Sequence, residues 1–143
     1  MTVLIEAMYA GKPLLFGLRA VPSSILKSPL PGPWGLTETG LTADVQADTV
    51  NHGGVDKAVH HYPREHYAAW LADKPSLAPL LETIPAFGEN ISTMGMTEAD
   101  VYIGDIYRVG GVRFQISQGR QPCWKLNARF DMPDMAYQVQ ETG

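Results

Sequence analysis

The sequence predicts a β-rich mixed α/β fold, and three observations carry that expectation. Fourteen glycines and eleven prolines are spread along all 143 residues instead of gathering in a linker, so many short elements joined by turns are expected. Apolar runs are short and several alternate with polar residues, the period of a half-buried strand. A Gly110-Gly111 pair stands between two such runs, as in a tight hairpin. The length fits one domain, 1–143, because a core grows to roughly 150 residues or more before it splits. With 45% hydrophobic and 18% charged residues, the chain has apolar surface enough for a core and does not resemble a disordered segment.

Taken in order, Val3 to Tyr9 reads as a strand ended by Gly11-Lys12-Pro13, with Leu14 to Val21 as its hairpin partner. Pro29, Pro31 and Pro33 then alternate, which forbids helix and interior strand alike, so the stretch to Thr49 is expected to be loop with short strands. Tyr62-Pro63 opens a helix, since proline suits a first turn whose N–H has no partner. Tyr67, Trp70 and Leu71 form its buried face, and Lys74-Pro75 stops it. A shorter helix follows over Leu77 to Glu82. Ile106 to Val109 and Val112 to Ser117 form the hairpin, with Val112, Phe114 and Ile116 on its buried side. Last, Asp131 caps a helix whose stripe is Met132, Met135, Ala136 and Val139 and which ends near Gly143.

Composition also excludes classes of function. The single cysteine, Cys123, rules out an internal disulfide and a thiolate-rich zinc or iron–sulfur site. A net charge of −4 gives no footprint for nucleic acid or an anionic membrane. The N-terminal residues lack a basic leader, and no stretch approaches the roughly 20 apolar residues needed to span a bilayer. With one unpaired thiol, a cytoplasmic location is expected.

The residues that could carry chemistry lie in loops. Cys123 sits in Gln118-Gly-Arg-Gln-Pro-Cys-Trp-Lys125, where Arg120 and Lys125 would lower a thiol pKa from about 8.5. A small buried hydrophobe is the other reading. Asn51-His-Gly-Gly-Val-Asp-Lys57 could bring backbone close to a ligand beside His52 and Lys57, or simply turn. Asn90, in Phe87-Gly-Glu-Asn-Ile-Ser-Thr93, can donate to and accept from a heterocycle edge or a phosphate, or satisfy its own turn. His52, His60, His61 and His66 do not form the i, i+4 pair of a helical zinc site. Tyr107, Trp34 and Trp70 read as core; Trp124, beside the thiol, reads as core or as the wall of a pocket. There is no phosphate-binding Gly-rich fingerprint and no Gly-x-Ser-x-Gly elbow.

Four segments in order, Asn51-His-Gly-Gly-Val-Asp-Lys-Ala-Val, Phe87-Gly-Glu-Asn-Ile-Ser, Ile103-Gly-Asp-Ile-Tyr and Ser117-Gln-Gly-Arg-Gln-Pro-Cys-Trp-Lys125, resemble the MOSC family, named for the molybdenum-cofactor sulfurase C-terminal domain. His60-His-Tyr-Pro-Arg-Glu-His-Tyr67 further resembles its YiiM branch, the 6-hydroxylaminopurine-resistance proteins. The resemblance implies a β-barrel with short helices, here lacking C-terminal family segments. It implies the molybdenum cofactor (molybdopterin), with Cys123 as catalytic residue and metal ligand and with Asn90, Arg120, Lys57 and His52 as cofactor-binding residues expected on one cleft. It also implies reduction of a small N-hydroxylated substrate with electrons from a separate reductase. Two alternatives stand beside this: Cys123 as a persulfide carrier of sulfur, and a binding module without catalysis. The oligomeric state is not legible.

Overall fold

The computed structural model describes residues 1–142. Its centre is a four-stranded sheet in the order β4-β1-β8-β7, made of β1 (Ile5–Ala10), β4 (Ser28–Pro29), β7 (His61–Pro63) and β8 (Ile91–Thr93). β1 runs antiparallel to both neighbours, with Tyr9 opposite Pro29 and Met8 opposite Ile91, and a register shift lies between Ile5 and Ala7. β7 and β8 are parallel, with His61 opposite Ile91. A parallel pair needs a crossover, and α1 (Arg64–Asp73) and α2 (Ala78–Leu81) supply it.

Three two-stranded ribbons surround this sheet: β2 (Leu14–Phe16) with β3 (Val21–Ser23), β5 (Leu36–Thr37) with β6 (Gly40–Leu41), and β9 (Ile106–Val109) with β10 (Val112–Gln115). With α3 (Trp124–Phe130) and α4 (Met135–Thr142) they complete a mixed α/β fold. The sheets do not close into a barrel among the described residues, because β4 and β7 remain edges of the central sheet.

Several local expectations change for physical reasons. Leu14 to Val21 does not pair with β1: it folds into its own hairpin, with Phe16 opposite Val21, and β1 takes distant partners instead. Tyr62 and Pro63 continue β7, with Pro63 extended at ψ 139°, so α1 starts at Arg64. Tyr67 and Trp70 are buried as expected, but Leu71 is 41% exposed, because the helix packs on one side only. The β9–β10 hairpin turns at Gly110, φ 58°, with Val112 opposite Val109. Its expected buried face is shallower: Phe114 and Ile116 are half-buried and Val112 exposed, since no second sheet covers it. Asp131 is not the N-cap of α4; it ends α3 in the left-handed region at φ 50°. Trp70 is core, whereas Trp34 and Trp124 are partly exposed and Tyr107 is half-buried. Met135 and Val139 are buried and Met132 and Ala136 pack against them; Gly143 lies outside the described residues.

The main core gathers Tyr62, Tyr67, Trp70, Phe87, Leu126 and Phe130 with both C-terminal helices. At its heart Glu89 has no exposed surface. The Tyr67 hydroxyl donates to Glu89 Oε1, and the Phe87 N–H donates to Oε2 at 3.1 Å. The Ala86 N–H donates to the Tyr67 oxygen at 2.8 Å. Removal from water holds the Glu89 carboxyl above the usual carboxylate range, and these hydrogen bonds pull it back only in part.

Tyr67→Phe is expected to cost roughly 2–6 kcal/mol in urea unfolding, because it strands two buried groups at about 1–3 kcal/mol each. Glu89 ionises later in the folded chain than in the unfolded one, so its contribution to stability falls as pH rises above the ordinary glutamate value. Glu89→Gln, measured at several pH values, should lack that decline; an unchanged pH profile would refute it.

Candidate cofactor-binding site

Three loops converge beside the central sheet. The first is the His-Gly-Gly segment. Asp48 accepts the N–H groups of Val50 and Asn51 at 3.1 and 2.9 Å and the Asn51 side chain at 3.0 Å, bonds that hold its carboxyl down at about 2. A Cβ on Gly53 would stand 2.6 Å from Gln46 Oε1, and Gly54 has φ 90°, so the first glycine allows a close approach and the second the turn. The chain then enters a short 3₁₀ turn, Val55–Lys57.

The carbonyl of Asp56 in that turn accepts from Ser117 Oγ at 2.7 Å and from Gln118 Nε2 at 3.0 Å. These bonds fasten the exit of the β9–β10 hairpin to the His-Gly-Gly loop, and thereby bring Arg120 and Cys123 opposite His52 and Lys57. Asn90 fixes the third loop. Its Nδ2 donates to the Tyr9 carbonyl at 3.1 Å and its Oδ1 accepts the His60 N–H at 3.1 Å, so its polar atoms brace the loop as well as lining the space.

His52, Lys57, Asn90, Arg120 and Cys123 all border one cavity of about 550 Å³. A second, of about 720 Å³, adjoins it and shares His52, Lys57, Arg120, Cys123 and Lys125, with Val21, Pro22 and Trp124 as outer wall. Cys123 is half-buried at the junction. Lys57 Nζ is held 2.6 Å from the Asn51 carbonyl. Arg120 Nη1 is buried with no hydrogen-bond partner in the protein, an uncommon condition for a charged donor.

The cavity is bordered by four cations, Lys27, Lys57, Arg120 and Lys125, and by four carboxyl groups, Asp44, Asp48, Asp56 and Glu98. Burial first, then Lys125 and Arg120, hold His52 below the usual imidazole range, while Asp48 acts weakly against them. His60 is driven down to about 3 by burial and then by Arg120, with a hydrogen bond to the Gly88 backbone opposing. Sequence reasoning weighed His60 as one of four histidines, with pocket lining or core as the alternative to a metal site, and it lines the cavity; it did not single out the Lys27–Asp44 pair at 2.7 Å on the same wall or buried Glu89. The apolar neighbours of Glu89 in Ala86-Phe87-Gly88-Glu89 were the available signal. Among the described residues no group of three His, Cys, Asp or Glu side chains could hold a metal ion, and no helix is long and apolar enough to cross a membrane.

The MOSC domain model matches residues 48–143. The chain belongs to the MOSC family. Protein YiiM of Escherichia coli (strain K12) is 52% identical over 122 residues, 85% of this chain and 54% of that protein. Its crystal structure superimposes with a TM-score of 0.72 at 43% identity over 95% of this chain and 58% of that one. YiiM from Geobacillus stearothermophilus gives 0.75 at 34% identity over 99% and 64%. A protein named "Reductase" from Gibberella moniliformis (strain M3125 / FGSC 7600) is 40% identical over 124 residues, 86% of this chain but 22% of its own. This MOSC chain thus spans little more than half the length of YiiM.

Because its folded pKa lies below the ordinary 6.5, His60 binds its proton less readily in the folded MOSC domain than in the unfolded chain. Its contribution to stability is therefore present above pH 6.5 and is lost as pH falls from there toward about 3, at up to about 1.4 kcal/mol per pH unit. NMR of the ring should show no titration between pH 5 and 8; a midpoint near 6.5 would contradict the burial argument.

Proposed function

We propose that this MOSC domain binds the molybdenum cofactor and acts in a cytoplasmic oxidoreductase that detoxifies N-hydroxylated bases such as 6-hydroxylaminopurine. The observation that carries the reading is the partnerless, buried Nη1 of Arg120 on the same wall as the only thiol. A buried donor without a partner suits a ligand that brings an acceptor, and a phosphate-bearing cofactor does so. The donor set fits the rest of that group: Cys123 offers soft sulfur, while Lys57, Lys125 and His52 surround it with charge and N–H donors.

The reaction breaks an N–O bond with two electrons and two protons and releases the oxygen as water. No side chain here supplies those electrons, and the cofactor would, as redox cofactors do. Cys123 Sγ, as thiolate, would be the protein's ligand to the metal. Arg120 Nη1 would donate to the phosphate, and Lys57, already anchored on the Asn51 carbonyl, would add charge. His60, neutral and with one ring N–H committed to the Gly88 carbonyl, keeps its other nitrogen as an acceptor for a substrate N–H or O–H. The half-exposed position of Cys123 also fits a persulfide sulfur carrier, and a non-catalytic cofactor-binding module remains the third reading.

Metal analysis of protein made in cofactor-competent cells separates about one molybdenum per chain, expected of the reductase and of the binding module, from a persulfide without metal, and activity on 6-hydroxylaminopurine then separates the reductase from the module. Cys123→Ser is expected to abolish reduction of 6-hydroxylaminopurine by a chemical donor while changing stability by less than about 1.5 kcal/mol in either direction. Full activity in a metal-loaded Cys123→Ser sample would overturn the ligand role. Lys57→Ala should instead weaken cofactor retention about 10- to 100-fold, as loss of a charge-assisted contact of roughly 1.5–3 kcal/mol implies, and added cofactor should restore activity.

A further inference from the structure

Two histidines adjacent in sequence face different charges on the wall of the 550 Å³ cavity. His60 is lowered by burial and then by Arg120. His61 is also lowered by burial, but the charges that act most on it are Glu98 and then Glu65, and both oppose the shift. His61 is thus a neutral ring beside carboxylates, where it cannot serve as their counter-ion. The fold separates this end from the cysteine: Glu98, Val101 and Ile103 border only the first cavity, whereas Lys57, Arg120, Cys123 and Lys125 border both. Of the other carboxyl groups on the wall, Asp44 takes Lys27 and the Gly11 N–H, Asp48 is engaged by its own loop, and Asp56 precedes Lys57 in the chain.

Local bonds set Glu98 in place. The Gly95 N–H donates to Glu65 Oε1 and fastens the preceding loop to α1. A 3₁₀ turn, Glu98–Asp100, is then capped at Thr97, whose N–H and hydroxyl donate to Asp100 Oδ2 at 2.8 and 2.9 Å. His66 Nε2 on α1 meets Glu98 Oε2 at 2.8 Å, while Oε1 makes no hydrogen bond among the described residues. Pro63, Met96, Val101 and Ile103 give the same end of the cavity apolar walls. A carboxylate oxygen held among apolar side chains is the acceptor that orients a flat ligand carrying an N–H.

We propose that Glu98 accepts the ring N–H of a free N-hydroxylated purine base and so selects the base over its nucleoside. The proposal rests on the reductase reading, which supplies the substrate's reacting group. In 6-hydroxylaminopurine the hydroxylamino group on C6 and the N9–H lie on opposite sides of the fused ring. A base that turns its N–OH toward Cys123 therefore presents N9–H to the other end of the cavity. A nucleoside carries its sugar on N9 and has no proton to give. Sites that hydrogen-bond a substrate N–H discriminate against analogues that lack it. Because the Glu98 side chain is 61% exposed, the contact stands at the weak end of the charge-assisted range, about tenfold in binding.

The test supplies the molybdenum-loaded protein with reduced methyl viologen and compares 6-hydroxylaminopurine with its 9-methyl derivative, which lacks the N9–H. In the wild type kcat/KM should favour the free base about tenfold, mainly through KM. Glu98→Ala should bring that ratio to within about twofold of one, because only the free base loses a contact. Glu98→Gln, which keeps the volume and loses the charge, should lower it as well. If Glu98 served the fold alone, both substrates would slow alike and the wild-type ratio would persist in the variants, which would overturn the proposal. A wild-type ratio near one would overturn it too and spare the reductase reading. Absence of viologen-driven reduction of either compound by the wild type would overturn the reductase reading instead. Calorimetric titration with adenine and 9-methyladenine then still decides the subsite: tighter adenine binding in the wild type, lost in Glu98→Ala, supports it, and equal binding of the two to the wild type overturns it.

Discussion

A buried carboxyl needs hydrogen-bond partners or it will not stay buried, and the placement of Glu89 sets much of the remaining structure. Its oxygens are met by the Tyr67 hydroxyl and the Phe87 N–H, while Arg64 and the neighbourhood of Arg129 supply favourable charge. Tyr67 is on α1 and Glu89 immediately precedes the braced Asn90, so one hydrogen bond joins the helical layer to the sheet. Phe87 stacks on Tyr62 at 4.2 Å, meets Tyr67 edge-on at 5.3 Å and reaches Phe130 on α3 at 5.0 Å. The four residues 87–90 thereby hold together α1, α3, β1 and the strand that leads into β7. Removing one partner strands the other as a buried unsatisfied polar group, whereas replacing both can be nearly neutral, which is why the Tyr67–Glu89 pair behaves as one unit.

The same loop links the core to the cavity. Asn90 has its side chain tied to the backbones of Tyr9 and His60, so its place on the cavity wall follows from strand geometry and does not depend on a ligand. Arg120 differs, since its Nη1 is out of water with nothing to meet. Burial lowers its pKa, although Asp44 and Cys123 oppose that shift. Lys57 and Lys125 lie close by, with Asp44, Asp48, Asp56 and Glu98 bordering the same cavity, and the depressed His52 and His60 report burial first and the nearby cations second. An anionic ligand would meet that buried donor, and the unpartnered Arg120 Nη1 is what supports the cofactor reading.

What the sequence made legible was local. The β9–β10 hairpin follows from a Gly pair between alternating residues, and the core of α1 from Tyr67 and Trp70. The start of α1 was misplaced because Tyr62 and Pro63 pair with Ser92 and Thr93, a partnership distant in sequence. α3 escaped notice because seven residues offer only Leu126 and Phe130 as a buried stripe, and Asp131, a residue favoured at caps, ended that helix instead of starting the next. The resemblance named the residues of the candidate site, but their meeting follows from contacts distant in sequence, the Asp56 carbonyl held by Ser117 and Gln118 and the Asn90 side chain held by Tyr9 and His60. The apolar face of the lone hairpin could not be read correctly, because its burial depends on what lies across from it.

Cys123 stands at the N-cap of α3 with extended geometry, φ −133° and ψ 172°, and makes no side-chain capping bond. Serine, threonine, aspartate or asparagine there would satisfy an orphan N–H and stabilise the helix by about 1 kcal/mol. The thiol gives up that gain. Nor does it serve as core, since it is half-exposed where two cavities meet. Helix stability and packing would both favour another residue at this position, and that supports the role proposed for its sulfur beside the unpartnered donor of Arg120.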